Sequence, residues 1–312
     1  MFVSICIPTY KRPELLRRAL RSAIEQHYRP MEILIGDDSP TDEARRIVES
    51  FPVHDQGLMI HYEWNRPALG QAANVNSLIG KARGEKLMIL HDDDELVPNA
   101  LVKLLACWQQ DPDISAAFGK QILVAEDGSE MSGGTAVLNL DYYRTSEFVG
   151  GKLSPLESAL VQQFPNDCAL LNSELAKRTP LRELALVGDS CDFDFGVRFA
   201  AIARRFWFAD VNTAKYRLTE GSISKNFRPA KMFKIIEELE LKPDHEWARQ
   251  LALGRQAPLA ISEALKNGDR AEAWRIYCLP CYAKRRMSLS GLKKLALITM
   301  AHLKSRATSA ST

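Results

Sequence analysis

KLMILHDDDELVPNAL, residues 86–101, runs an apolar stretch into a cluster of acids and restarts as a helix. Lys86-Leu87-Met88-Ile89-Leu90 has the length and continuous apolarity of a short buried strand. His91-Asp92-Asp93-Asp94-Glu95 ends it, and Pro98, favoured in a first helical turn, opens a helix over 98–109. The same order stands three times upstream. Val3-Ser4-Ile5-Cys6-Ile7 closes at Pro8 before a helix over 12–26, with Leu15, Leu16, Ala19, Leu20, Ala23 and Ile24 on one face. Glu32-Ile33-Leu34-Ile35 closes at Gly36-Asp37-Asp38-Ser39-Pro40, and Thr41 caps a helix through Glu49. A third strand over 58–62 is followed by a helix over 70–82. Four βα units in a row predict an α/β fold, a mainly parallel sheet flanked by helices on both faces.

The surrounding chain is ordinary globular material: 312 residues, 41 Lys+Arg against 39 Asp+Glu, 46% hydrophobic and 26% charged. That composition excludes disorder, collagen and fibre. Six cysteines in so long a chain form no disulfide framework, and Cys278-Leu279-Pro280-Cys281 is a lone CxxC without a second zinc-binding pair. No stretch approaches the roughly 18 apolar residues of a bilayer span, and the start lacks the basic region of a signal peptide. A cytoplasmic, non-spanning protein is expected. Past residue 110 the alternation breaks. Residues 114–140 read as β-like with turns at Asp127-Gly128 and Gly133-Gly134, and 141–155 as an irregular loop. A short apolar segment over 168–171, a helix over 191–204 and a strand Phe206-Trp207-Phe208-Ala209 follow. Nearly everything from Pro229 onward reads as helix, with a helix-loop-helix around Asn267-Gly268-Asp269. The expected division is a domain over 1–225, with halves 1–110 and 111–225, and a helical C-terminal extension over 226–312.

In an open parallel sheet, ligands bind beyond the carboxyl ends of the strands. Those positions hold Pro8-Thr9-Tyr10, Asp37-Asp38, Asn65-Arg66 and Asp92-Asp93-Asp94. Three adjacent carboxylates repel one another unless a cation or donors sit among them, and hard divalent cations such as Mn2+ or Mg2+ prefer oxygen ligands. Taken singly, each cluster has a plainer explanation: Asp94-Glu95 favours the start of the next helix, and Asp37-Asp38 suits an Asx turn before Pro40. Both clusters nevertheless end strands of one sheet. A nucleotide fits this edge: Tyr10 stacks on a base, Asp38 accepts from a base N–H or ribose hydroxyl, and Arg66 neutralises phosphate. No GxGxxG follows the first strand and no GxxxxGK[ST] occurs, so the dinucleotide and P-loop phosphate cradles are absent.

Four segments carry a resemblance: VSICIPTYKRPELLRRALRSAIEQ (3–26), EILIGDDSPTD (32–42), GQAANVNSLIGKARGEKLMIL (70–90) and HDDDELVPNAL (91–101). In order and spacing they resemble the family 2 glycosyltransferases of the GT-A fold. DFDFGVRFA (192–200) and YRLTEGSIS (216–224) are similar to that family's second-half signatures. The resemblance implies an inverting transfer from a nucleoside-diphosphate sugar to a saccharide or glycolipid hydroxyl with Mn2+ or Mg2+, as in bacterial lipopolysaccharide, capsule or exopolysaccharide synthesis. It implies that 1–110 is the nucleotide-binding half and 111–225 the acceptor-side half. By position, Pro8, Tyr10 and Asp38 would hold the nucleoside, with Arg66 and Asn76 on the donor side. Asp92 would serve the ribose and phosphate, Asp93 the metal with Asp94 in support, and Asp192 would be the general base. His91, Cys191 and Thr219 depart from the pattern, standing where many members have an acid, a Glu and a His. Asp194 competes with Asp192 as base, and Asp189 and Asp192 also suit a helix start.

Residues 281–312 carry Lys284, Arg285, Arg286, Lys293, Lys294, Lys304 and Arg306 and no acid, leaving 34 basic against 39 acidic residues elsewhere. With Leu289, Leu292, Leu295, Ile298 and Leu303 at helical spacing, this tail suits three roles: peripheral contact with an anionic inner membrane face, packing on its own domain, or a homodimer interface. Nucleic acid is disfavoured by the acidic body and the lack of interleaved aromatics. Two further readings stay open, a catalytically idle nucleotide-sugar binder and a sugar-1-phosphate nucleotidyltransferase. The second calls for a Gly-rich loop after the first strand, where Pro8-Thr9-Tyr10-Lys11-Arg12 has no glycine.

Overall fold

In chain order the first elements are β1 (Val3–Thr9), α1 (Pro13–Ile24), β2 (Met31–Asp37), α2 (Glu43–Glu49), β3 (Leu58–Trp64), α3 (Gln71–Lys81), β4 (Lys86–Ile89), β5 (Glu95–Leu96) and α4 (Ala100–Gln110). β6 (Ala116–Val124), α5 (Ser132–Asp141), α6 (Pro155–Leu160), β7 (Leu170–Asn172), α7 (Ser173–Lys177), α8 (Leu184–Val187), α9 (Cys191–Ile202) and β8 (Phe206–Arg217) follow. The described residues from Pro229 onward carry helices: α10 (Pro229–Glu237), α11 (Glu246–Lys266), α12 (Arg270–Cys278), α13 (Ala283–Arg286) and α14 (Leu289–Ser309). This computed structural model describes residues 1–52, 55–219 and 229–309, without the side chains of Asp189 and of 301–309. Among the described residues one unit comprises 1–186 and 191–219, and a second comprises 187–190 and 229–309.

The sheet of the first unit has eight strands in the order β3-β2-β1-β4-β7-β6-β8-β5. β1 to β4 are mutually parallel, as four βα units require. β7 is antiparallel to both β4 and β6, β8 is parallel to β6, and β5 is antiparallel to β8, so the sheet as a whole is mixed. Val3, Ile5 and Ile7 of β1 and Leu16, Ala19, Leu20 and Ala23 of α1 are fully buried together, which is the apolar face read from the helix period.

Two stretches depart from the sequence reading. Residues 132–141, expected to be β-like through Leu140 and loop from Asp141, form α5, with Gly133 and Gly134 in its first turn. A Cβ on Gly134 would lie 2.7 Å from Leu123 Cδ2, so glycine lets the helix lie close on β6. The docking is polar: Thr135 Oγ1 accepts from the Leu123 amide at 2.9 Å, and the Asn139 amide exchanges hydrogen bonds with the Gln121 backbone at 3.2 and 2.8 Å. A helix fixed through Thr and Asn has little apolar periodicity to reveal it. The last strand, expected to end at Ala209, continues to Arg217, its exposed Asp210 and Asn212 having hidden the strand pattern.

Glu32 of β2 is fully buried, accepting from Ser4 Oγ at 2.6 Å, the Arg83 amide at 2.7 Å, Arg83 Nε at 2.9 Å and Arg83 Nη2 at 2.7 Å. Burial opposes the charged form, but these donors and the Arg83 charge prevail, and the carboxyl sits below its ordinary value. Its contribution to stability is therefore complete above the ordinary glutamate range and is lost as pH falls through the lowered folded value. Glu32→Ala leaves the buried Ser4 hydroxyl without this acceptor and is expected to cost about 1–3 kcal/mol at neutral pH, measured from the urea midpoint, and to flatten the acid limb of the stability curve.

In the second unit, Asp269 caps α12 by accepting from the Glu272 amide at 3.0 Å, after Gly268 turns the chain at φ 77°. The helix-loop-helix expected there is thus α11, the 267–269 turn and α12.

Candidate active site

Because β1, β2, β3 and β4 are parallel, their carboxyl ends meet on one edge. Thr9 lies opposite Asp37, and Asp37 opposite Trp64. Beyond β4, the Leu90 amide still donates to Cys6 at 2.9 Å before His91 to Asp94 turn away. The acids are therefore presented beside Thr9 and Arg12.

Asp92 is buried and accepts from Thr9 Oγ1 at 2.8 Å and Arg12 Nη1 at 3.2 Å. Its carboxyl is held above the usual range, chiefly by burial and then by Asp93, with Thr9 and Arg12 pulling the other way. Asp93 accepts from the same Arg12 Nη1 at 2.9 Å and from Thr219 Oγ1 at 3.3 Å. Asp94 is 1% exposed; one oxygen accepts from the Arg217 amide at 2.7 Å, and Oδ2 has no hydrogen-bond partner among the described residues. Burial, then the Asp167 and Asp93 charges, keep its carboxyl well above the ordinary range.

Asp167 escaped the sequence reading. It lies just before β7, and because β7 is antiparallel to β4 its start falls beside the end of β4, where Ile89 bridges Asp167. Its carboxylate accepts from the His91 amide at 2.8 Å and from Cys168 Sγ at 2.9 Å. Half-buried His91 thus has acids around it: desolvation disfavours its charge, but Asp167, Asp192, Asp93 and Asp92 outweigh this and push its pKa up to about 9.

Arg12 and Arg217 were also missed as site residues. Buried Arg217 reaches Asp93 O with Nε at 3.1 Å, the carbonyls of Ala125 and Glu126 with Nη1 at 3.1 and 3.2 Å, and the Glu95 carboxylate with Nη2. It ties the acidic turn to the end of β8. Of YRLTEGSIS, residues 216–219 are described and 220–224 lie outside the described residues.

The remaining expected residues divide. Tyr10 is 53% exposed, with Lys11 Nζ 4.9 Å from its ring centre, and Pro8 lies opposite Gly36. Asp38 is buried and accepts from Asn65 Nδ2 at 2.9 Å, the Leu69 amide at 3.1 Å and the Gly70 amide at 2.8 Å. Arg66 lies over the Trp64 ring at 3.7 Å and donates to Pro40 O. Asn76 uses both ends of its amide on the Leu181 backbone, at 2.8 and 2.7 Å. Arg66 and Asn76 thus direct these hydrogen bonds to backbone groups and not to the acids.

Asp192 stands in the first turn of α9, half-buried, its backbone carbonyl accepting from the Asn166 side-chain amide. Its carboxylate is 3.9 Å from Cys191 Sγ and is one of the charges acting on His91. Asp194 is buried and paired with Arg198 Nε at 2.8 Å and Arg182 Nη1 at 3.5 Å.

His91, Asp93 and Asp94 each offer one ligand atom, all within 4.8 Å of one another. The unpartnered Asp94 Oδ2 and this oxygen-rich donor set fit a divalent cation. Arg12 already neutralises part of the cluster.

Residues 4–149 match the family described as glycosyl transferase family 2. A GalNAc(5)-diNAcBac-PP-undecaprenol beta-1,3-glucosyltransferase of Campylobacter jejuni is 31% identical over 103 residues, which is 33% of this chain and 33% of that enzyme. The match thus spans about a third of that relative's length. Among solved structures, Staphylococcus aureus TarS 1–349 in complex with UDP-GlcNAc has a TM-score of 0.65 at 15% identity, covering 98% of this chain and 92% of that one. Mannosyltransferase PcManGT of Pyrobaculum calidifontis, in complex with GDP-Man and Mn2+, has a TM-score of 0.57 at 18% identity, covering 96% and 86%. The fold is therefore the expected GT-A arrangement, with its helical C-terminal region.

Proposed function

We propose, from the match of residues 4–149 to glycosyl transferase family 2, that the chain moves a sugar, with inversion, from a nucleoside-diphosphate sugar to an acceptor hydroxyl. The observation that carries this reading is the convergence of Asp92, Asp93, Asp94 and Asp167 on one sheet edge, with the charge of Asp192 acting on the same His91. In one displacement the acceptor oxygen bonds to the anomeric carbon as the bond to the diphosphate oxygen breaks. The diphosphate leaves with the electron pair, and Asp192 takes the acceptor proton. A hydroxyl at neutral pH is a weak nucleophile, so a carboxylate free to accept its proton is required. Asp194 is committed to Arg198 and Arg182, which favours Asp192 for that role.

Pro8, Tyr10 and Asp38 form the nucleoside side, and Asp92 the ribose and phosphate side. Arg66 supplies positive charge near the nucleoside. Asn76, spent on Leu181, acts on the donor only by fixing α3. Asp93 and Asp94, with His91 as a third ligand, would hold Mn2+ or Mg2+, whose charge favours the departing diphosphate. Residues 1–225 carry the reaction, split at about residue 110 between nucleotide and acceptor, and 226–312 form an extension. The Campylobacter relative's name supports a saccharide or glycolipid acceptor, and we place the reaction in surface polysaccharide synthesis at the cytoplasmic face of a membrane. The neighbours' UDP-GlcNAc, GDP-Man and Mn2+ support a sugar nucleotide and a metal.

A calorimetric panel of UDP, GDP, dTDP and CDP, each with and without Mn2+, tests this. One nucleotide is expected to bind at least about tenfold tighter with the metal. Absence of binding by all four, with or without Mn2+, overturns the reading.

A further inference from the structure

α14 exposes several large apolar side chains. Over 289–300, where its side chains are described, Gly291 and Ile298 are buried with Leu295 half-buried, and a Cβ at Gly291 would collide with the Arg285 and Arg286 carbonyls. At about 100° per residue, Leu289 and Met300 fall opposite these positions, with Leu292 and Leu297 on the two flanks. In that order they are 89%, 52%, 46% and 39% exposed, and Met287 just ahead of the helix is 83% exposed. A surface helix normally turns its apolar stripe to the core and its charges to solvent. Here Ile298 and half-buried Leu295 face inward, yet further apolar side chains stand on the outward half as well.

Charge decides what meets it. Residues 281–312 hold seven basic residues and no acid. Arg286 is used on the carbonyls of Tyr277, Cys278 and Leu279, and Lys294 on Ser262. Lys284, Arg285 and Lys293 are exposed, and Lys293 lies within the apolar face. A second copy of this surface would bring like charges together with nothing to offset them. An anionic bilayer offers acyl chains to the leucines and methionines and negative headgroups to the lysines, whose long stems lift their charge out of the apolar layer. Among the described residues no helix is long and apolar enough to cross a membrane, so contact is with the surface.

We propose that the outward face of α13 and α14 seats on an anionic phospholipid surface. Met287, Leu289, Leu292, Leu297 and Met300 enter the acyl boundary, while Lys284, Arg285 and Lys293 meet the headgroups. This does not depend on the transferase chemistry.

The test is sedimentation of the full chain with phosphatidylcholine vesicles, alone or with phosphatidylglycerol added, in the absence of donor and acceptor. At about 1 kcal/mol per basic residue near the surface, the three cations predict binding tightened by tenfold to about a hundredfold with the anionic lipid. Leu289→Glu combined with Leu292→Glu is expected to abolish sedimentation while leaving the helical circular dichroism and nucleotide binding unchanged. Lys284→Gln, Arg285→Gln and Lys293→Gln together are expected to erase the preference for phosphatidylglycerol. Equal binding to both vesicle types, or sedimentation insensitive to both variants, overturns the proposal. So does a dimer in light scattering that Leu289→Glu dissociates, with no vesicle binding by the parent chain.

Discussion

Asp192→Asn is expected to leave the affinity for the donor nucleotide within about twofold and to cut transfer to the acceptor by about a thousandfold, the scale of a lost general base. The carboxamide has the shape of the carboxylate but cannot take a proton. Local structure tolerates the change, because Asn166 holds the backbone carbonyl of Asp192 and not its side chain. Asp194→Asn is the informative contrast. It weakens the ion pairs to Arg198 and Arg182, so it is expected to lower the thermal midpoint while the surviving folded enzyme keeps most of its turnover. Near-normal transfer by Asp192→Asn on the true acceptor would place the base elsewhere, and a collapse of kcat in folded Asp194→Asn would place it two residues on.

The second large effect is expected at Asp93. Asp93→Ala leaves His91 and Asp94 as two of the three candidate ligands and removes one of the two carboxylates that accept from Arg12 Nη1. Direct Mn2+ binding, followed by electron paramagnetic resonance, is expected to weaken by at least about a hundredfold, the upper range for losing even an outer-shell partner. The nucleotide affinity measured with Mn2+ should then fall to its metal-free value. Retention of the full metal-dependent gain would show that the cation is held without Asp93.

The parallel half of the sheet could be read in the sequence because β1, β2 and β4 are buried on both faces, edge strand β3 alternates in exposure, and its helices repeat at 3.6 residues. The acids followed from it, since parallel strands must end on one edge. What could not be read depends on contacts between distant segments. Asp167 stands beside β4 only because β7 runs antiparallel to it, and Arg217 reaches the acidic turn from more than 100 residues away. Asn74 and Asn76 look alike in sequence, yet two steps along α3 turn the side chain to the other side. Asn74 holds the Gly36 carbonyl, and Asn76 the Leu181 backbone. α5 was hidden because Thr135 and Asn139, not an apolar stripe, attach it to β6.

The three donors that converge on Asp38 fix the edge proposed to meet the nucleoside. Asn65, Leu69 and Gly70 all donate to that carboxylate, with Gly70 at φ 86°, so the protein's own hydrogen bonds hold the segment after β3 against the end of β2. A ligand meeting this edge finds a preorganised wall and loses little of its binding free energy to freezing a loop. Its affinity should therefore report the fit of the base and the charge of the phosphates, with only a small contribution from induced closure at this wall.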